Sequence, residues 1–180
     1  MRLFRNKNQC LVIFLAVGFL TGILYTNMIS SRYVAAGSIF DEHFLKQYSR
    51  TEIIEEEYLW YILRARLFPL GLLCVIGCMK WKKALVAGCL VWTGFSGGVI
   101  AVSAVISLGI KGILFCAAGM LPQVLFYGFA YVVLLWYFYT YPNGRWNLKK
   151  TTVVVVTMAI GIIVEVYVNP LLMKAVIPLL

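Results

Sequence analysis

The sequence is poor in acidic residues, with seven Asp and Glu against 16 Lys and Arg among 180 residues. Six of the seven acids fall between Asp41 and Glu57, and the seventh, Glu165, lies alone in an apolar stretch. Charged residues make up only 13% of the chain and hydrophobic residues 62%, which is far more apolar than a soluble domain of this length. The composition therefore indicates an integral membrane protein.

The residue patterns of common catalytic and cofactor sites are also missing. The sequence contains no phosphate-binding glycine loop, no HExxH or GxSxG motif and no cluster of His, Cys and Asp. Its only histidine, His43, lies in the acidic stretch, and we interpret it as a solvated residue. A single intramembrane acid does not supply the paired groups that an intramembrane hydrolase needs. We predict no enzymatic activity, no cofactor and no metal site.

The five cysteines do not form the pattern of a disulfide framework. All of them lie in or beside apolar stretches, and none lies in the acidic stretch, where a disulfide would be expected. We interpret them as small packing or lipid-facing residues: Cys10, Cys74, Cys78, Cys89 and Cys116.

Long apolar runs occupy most of the chain. A hydrocarbon core about 30 Å thick requires about 20 apolar residues per helix, and several such runs are present. The first run is longer than the core of a secretory signal, so we predict an uncleaved first helix. The fold class that follows is all-α: a polytopic membrane helical bundle forming one domain over 1–180, with five transmembrane helices at about 10–28, 58–79, 84–108, 122–141 and 151–168.

The region from 112 to 141 is the least regular of these runs. It contains 30 mostly apolar residues, too many for one upright helix and too few for two. Leu121-Pro122-Gln123 interrupts it after ten residues, which as a helix reach only about 15 Å, half of a bilayer. We therefore predict a half-membrane or re-entrant segment at 112–121, a break, and a helix that begins at Pro122. The alternative is one long, kinked and tilted helix.

Two of the predicted spans contain many small residues. Gly18 and Gly22 are four residues apart in the first span. Small residues at this spacing let the backbones of two transmembrane helices approach closely. The third span has a face of small residues of the same kind, made of Gly94, Gly97, Gly98, Ala101 and Ala104.

The distribution of basic residues predicts the orientation in the membrane. The amino terminus, the 80–83 loop and the 145–150 loop each carry three Lys or Arg and no acid, whereas the 30–57 loop carries six acids. Basic loops stay on the cytoplasmic side. We predict a multi-pass plasma-membrane protein with a cytoplasmic amino terminus, an acidic outer loop at 30–57 and an external carboxyl terminus. The same rule explains the net charge of +9 without nucleic-acid binding.

Glu165 is the main candidate for a functional group, because an ionisable side chain at membrane depth is costly and usually faces the bundle interior. Three interpretations remain open: a buried pair that fixes helix packing, a proton or ion site, and a boundary residue wetted at the outer interface. The candidate partners for its carboxyl group are Lys111, Gln123, Arg64 and Arg66.

Two regions of the sequence resemble a known family. Lys111-Gly-Ile-Leu-Phe115 followed by Met120-Leu-Pro-Gln123, together with Glu165-Val-Tyr-Val-Asn-Pro170, is similar to the stage II sporulation protein M family. The similarity covers roughly residues 70–170. It implies five spans and a shared, non-catalytic core at Lys111, Gly112, Pro122, Gln123, Glu165 and Pro170.

The resemblance also implies a function. Sporulation M proteins recruit and hold peptidoglycan hydrolases, the sporulation D and P proteins, at the septal membrane during engulfment. We therefore expect a non-enzymatic scaffold that contacts membrane lipid and hydrolase partners, with a homo-oligomer left open and no nucleic acid. Our hypothesis is that the hydrolases dock on the acidic outer loop, at Asp41, Glu42, Glu52, Glu55, Glu56 and Glu57.

The alternative hypothesis is a small transporter or channel component. A broken half-helix that faces a carboxylate inside a bundle is also how transporters build substrate sites. Under this hypothesis Glu165 is the coupling group rather than a packing residue.

Overall fold

The computed structural model describes residues 7–29, 55–79, 81–142 and 144–177. Within these ranges no strand occurs, and the predicted all-α class is confirmed. The helices are α1 (Lys7–Ile29), α2 (Glu55–Gly77), α3 (Lys82–Leu108), α4 (Ile110–Thr140) and α5 (Leu148–Ile163), with a π-helical segment (Val164–Val168) that joins α5 directly to α6 (Asn169–Val176).

Five helical stretches in the described part of the chain are long and apolar enough to cross a membrane. They contain 20 to 31 residues each, so even the shortest reaches about 30 Å as a helix. The molecule is therefore a multi-pass membrane protein. The five stretches are Gln9–Met28, Glu56–Gly77, Lys82–Leu108, Ile110–Thr140 and Leu148–Val176.

Most of the predicted acidic loop, 30–54, lies outside the described residues, and with it Asp41, Glu42, His43 and Glu52. The last three acids of that loop are helical, because α2 already begins at Glu55. Glu56 and Glu57 are exposed in its first turn.

Helix α4 runs through Pro122 without a break, so the re-entrant segment at 112–121 is not confirmed and one long helix occupies the region. Proline lacks an N–H and crowds the carbonyl group four residues earlier, which weakens a helix in water. Here the side-chain Nε2 of Gln123 donates to the Gly119 carbonyl oxygen at 2.6 Å, next to the site of that loss. A break at this point would leave still more backbone groups unpaired in lipid, so a transmembrane helix tolerates the proline.

The last helix also passes a proline, and it extends beyond the predicted end at residue 168 to Val176. The π-helical segment lies directly before Pro170, and the Asn169 N–H donates to the Val164 carbonyl oxygen, five residues earlier. Pro170 follows one residue after that segment, and the backbone before it keeps helical angles. The turn before Pro170 contains one extra residue, and the helix continues.

The described helices pack as two compact units. The first contains α1, α3 from Val86 onward and the start of α4 as far as Cys116. In this unit α1 and α3 touch at their backbones: a Cβ added to Gly94 would overlap the Leu15 carbonyl oxygen and lie 2.9 Å from the Phe19 nitrogen. The same close approach occurs at Gly18, Gly22 and Gly98. The expected close contact at small residues is confirmed at these positions.

The second unit contains α2, the first residues of α3, α4 from Ala117 onward and the last helix from α5 to α6. Side chains from α2, α4 and the last helix form its buried core, and the polar site described below lies at one end of that core. The core residues are Ile62, Tyr127, Ala130, Val154, Met158, Ile162 and Val166.

Candidate functional site: a buried carboxylate with three donors

The centre of the site is an ion pair between Arg66 of α2 and Glu165 of the π-helical segment, which are 99 residues apart in sequence. The Arg66 Nε donates to Glu165 Oε2 at 2.9 Å, and its Nη2 donates to Glu165 Oε1. Two parallel N–H···O bonds of this kind are the strongest geometry for a guanidinium and a carboxylate. The pair therefore fixes α2 against the last helix in both distance and orientation.

Tyr127 of α4 completes the site. Its hydroxyl donates to Glu165 Oε2 at 2.7 Å, and the Arg66 Cζ lies 4.9 Å from the centroid of its ring. The ring fits because residue 161 is glycine: a Cβ there would lie 2.7 Å from the Tyr127 Cε1. One tyrosine thus contacts both charges, and the Glu165 carboxylate accepts bonds from two helices.

The two members of the ion pair differ in exposure. The Glu165 side chain is 9% exposed, whereas the Arg66 side chain is 41% exposed. The carboxylate lies inside the unit, and the arginine reaches it from the surface. Three of the roughly four acceptor positions of a carboxylate are occupied, and the donors come from two other helices, so this group links three helical segments.

The structure selects one of the four partners proposed for Glu165. Arg66 makes the pair, while Arg64, two residues earlier, is exposed on α2. Gln123 is buried but bonds within its own helix, and Lys111 is exposed in the first turn of α4. Helix α2 therefore contributes a single basic side chain to this site.

Tyr127 is not among the site residues predicted from the sequence. A weak signal was present, because Tyr127 follows Gln123 by four residues and so lies on the same face of α4. The chain contains 11 tyrosines, and spacing alone does not distinguish this one from the others.

A second polar group lies at Gly119, where the two motifs of the family resemblance meet. A Cβ at Gly119 would lie 2.8 Å from the Met173 Sδ and 4.0 Å from the Asn169 Oδ1, and its carbonyl oxygen accepts from Gln123. Within the described residues, the buried Gln123 Oε1 and Asn169 Oδ1 accept no hydrogen bond. Buried acceptors without a donor are rare in native proteins.

The remaining predicted core residues all lie in helices. Gly112 lies against α3 in the first unit, where a Cβ would overlap the Ala104 carbonyl oxygen. Pro122 and Pro170 lie inside continuous helices. Across the described ranges, no three His, Cys, Asp or Glu side chains lie close enough together to hold a metal ion.

Comparison with known proteins gives no match: no protein-family model, no curated protein and no solved structure is similar to this chain. The similarity to the sporulation M family therefore rests on the motifs named above.

Proposed function

We propose that this protein is a non-enzymatic membrane scaffold that recruits or anchors peptidoglycan hydrolases at the septal membrane during sporulation engulfment. The observation that supports a scaffold best is the Glu165 carboxylate, which is bonded to Arg66 and Tyr127. A carboxylate held by donors from two other helices stabilises the bundle. The sporulation context comes from the family resemblance alone.

The meeting of the two resembling motifs at Gly119 is a further argument for this proposal. Gln123 belongs to the first motif and Asn169 to the second, and both lie beside the same glycine. Gln123 and Asn169, which are 46 positions apart in the sequence, thus pack within the second unit. Residues shared for packing are what a scaffold family would retain.

The proposal includes an orientation. The amino terminus and the basic loops at 80–83 and 145–150 face the cytoplasm, by the positive-inside rule. The acidic start of α2 then faces outward, where Glu56 and Glu57 are exposed. Extracytoplasmic hydrolase domains are on this side of the plasma membrane.

Replacing Glu52, Glu55, Glu56 and Glu57 together by glutamine should weaken recruitment of the hydrolases. If the contact of each carboxylate with a hydrolase contributes a few tenths of a kcal/mol, the loss is about 1.5 kcal/mol in all, or about tenfold in bound hydrolase. The measurement is quantitative co-purification of sporulation D and P proteins with the tagged chain from sporulating cells.

The matched control replaces the same four residues by aspartate, which keeps the charge and should retain the partners. Both variants must reach the membrane in equal amounts. Equal recovery of hydrolases with the glutamine variant and the unmodified chain would refute docking on this surface. Absence of hydrolases from all three samples would refute the scaffold proposal itself.

The second candidate function is a small transporter or channel component. The observation that favours it is the pair of buried acceptors, Gln123 Oε1 and Asn169 Oδ1, beside two helices that contain prolines. Side-chain and backbone carbonyl groups at irregular helix turns are the ligands that transporters use for cations.

Under the scaffold proposal, liposomes that contain the purified chain should conduct protons and monovalent cations no faster than empty liposomes. The measurement follows a pH-sensitive or sodium-sensitive dye after an imposed gradient. A flux that Asn169→Leu removes, while Tyr167→Leu on the exposed face of the same helix does not, would favour the transporter instead.

A further inference from the structure

One end of the second unit contains a cavity of about 300 Å³ that has no role in the site described above. Trp81 with the first turn of α3, and the last turn of α4 with Tyr141, line it, and it is open on one side. Its volume is at the lower limit of the range for small-molecule sites. The residues that line it are Trp81, Lys82, Lys83, Ala84, Phe138 and Tyr141.

The cavity is basic. Lys82 and Lys83 line it, and the Lys82 Nζ lies 3.3 Å from the centroid of the Tyr141 ring and 5.9 Å from that of Tyr137. The Lys150 Nζ lies 5.8 Å from the centroid of the same Tyr137 ring. Aromatic faces position an ammonium group but do not neutralise it.

The two basic loops therefore meet at this end of the second unit, although about 60 residues separate them in sequence. Together they contain six Lys and Arg and no acid, and the chain has no acidic residue between Glu57 and Glu165. Among the described residues, no carboxylate pairs with Lys82, Lys83 or Lys150. An anion from outside the chain is the natural counter-charge.

The position of the cavity indicates where that anion comes from. Helix α4 ends at Thr140 and α3 begins at Lys82, so the cavity lies at the ends of membrane-spanning helices. Trp81 is 75% exposed and Tyr141 47% exposed, as is typical of aromatic residues at the level of lipid headgroups. Buried Phe138 supplies an apolar wall of the cavity.

We propose that this cavity binds the headgroup phosphate of an anionic phospholipid, one per chain. Lys82 and Lys83 contact the phosphate, Tyr137 and Tyr141 hold Lys82 in place, and the acyl chains follow the apolar surface beside Phe138. In the predicted orientation the lipid belongs to the cytoplasmic leaflet, where anionic lipids attract basic segments. This inference is independent of the scaffold proposal.

The test is native mass spectrometry of the full chain, released from micelles that contain phosphatidylglycerol or phosphatidylcholine in equal amounts. We expect one tightly retained phosphatidylglycerol per chain and at least tenfold weaker retention of phosphatidylcholine. Replacing both Lys82 and Lys83 by glutamine should weaken retention of phosphatidylglycerol at least tenfold, since each lysine near an anionic surface contributes about fivefold. Replacing both by arginine should keep it.

The matched control replaces Arg145 and Lys149 by glutamine. This variant loses two positive charges from the neighbouring loop, but neither side chain lines the cavity. Equal losses in both glutamine variants would overturn the proposal in favour of diffuse charge attraction. Loss in the arginine variant, equal retention of the two lipids, or displacement of the lipid by millimolar inorganic phosphate would overturn it as well.

Discussion

Replacing Arg66 by leucine is expected to lower the free energy of unfolding by about 3 kcal/mol, because it leaves the buried Glu165 carboxylate without its charged partner. Removal of one member of a buried pair is costly because the remaining charge keeps its desolvation penalty. The value is at the lower end of the range for such pairs, since the Arg66 side chain is 41% exposed. Unfolding in mixed micelles with a rising fraction of sodium dodecyl sulfate, followed by tryptophan fluorescence, measures it.

The control for this change is two residues away on the same helix. Arg64 is exposed, so Arg64→Leu removes the same charge without touching Glu165 and should change the stability by less than about 0.5 kcal/mol. If the Arg64 and Arg66 variants were equally destabilised, the loss would reflect charge at the surface of α2 and not the ion pair.

A double-mutant cycle isolates the energy of the pair. Arg66→Leu combined with Glu165→Gln removes both charges and leaves neither unpaired. The loss of stability in the double variant should therefore be about 2 kcal/mol smaller than the sum of the losses in the two single variants. Tyr127→Phe deletes only the hydroxyl that donates to the carboxylate and should cost about 1.5 kcal/mol. Additive losses across the cycle would show that Arg66 and Glu165 act independently.

The transmembrane helices were predictable because their cause is a property of the sequence itself. In lipid, an apolar run must form its backbone hydrogen bonds within itself. The helix is the structure in which a single segment can do this. The third span was predicted at 84–108 and forms Lys82–Leu108, and the first was predicted at 10–28 and forms Lys7–Ile29. Errors of two or three residues arise where basic residues begin a helix.

The proline positions were predicted less well for a physical reason. In water, an unpaired carbonyl group before proline is solvated, and the helix usually ends. At Pro122 a side-chain amide supplies a nearby donor, and at Pro170 the backbone widens into a π turn. The lipid surroundings favour such local adjustments over a break, because an interrupted helix would expose backbone groups to hydrocarbon.

The site was partly predictable. Glu165 was predicted because a carboxylate at membrane depth is energetically costly. For the same reason a hydrogen-bond donor was expected for it among a few polar side chains. The choice of Arg66 over Arg64 depends on the rotation of α2 about its axis. The position of the Tyr127 ring depends in addition on the free space that Gly161 leaves beside it. Rotation and free volume are properties of the packed bundle, so they appear only in the structure.

Substitution of a glycine at the contact between α1 and α3 is expected to lower the free energy of unfolding by a similarly large amount. Gly94→Ala adds one methyl group where α1 and α3 touch, and that group would overlap the Leu15 carbonyl oxygen. Backbone atoms cannot rotate away as a side chain can, so the two helices must separate. Overpacking of this kind costs about 1–3 kcal/mol, and we expect the upper end here because helix association in lipid depends on close packing. The same titration with sodium dodecyl sulfate measures the loss.

Helix α3 also provides the matched controls for this change. A Cβ at Gly88 would meet nothing within 4 Å, and one at Gly97 would lie 3.9 Å from the Phe19 Cδ2, an ordinary contact. Alanine at either position should leave the stability unchanged or raise it by up to about 1 kcal/mol, because alanine is the better helix former. All three variants change one glycine of one helix by one methyl group. A loss at Gly94 alone therefore measures contact with α1, and equal behaviour of the three would show that these helices do not pack through this face.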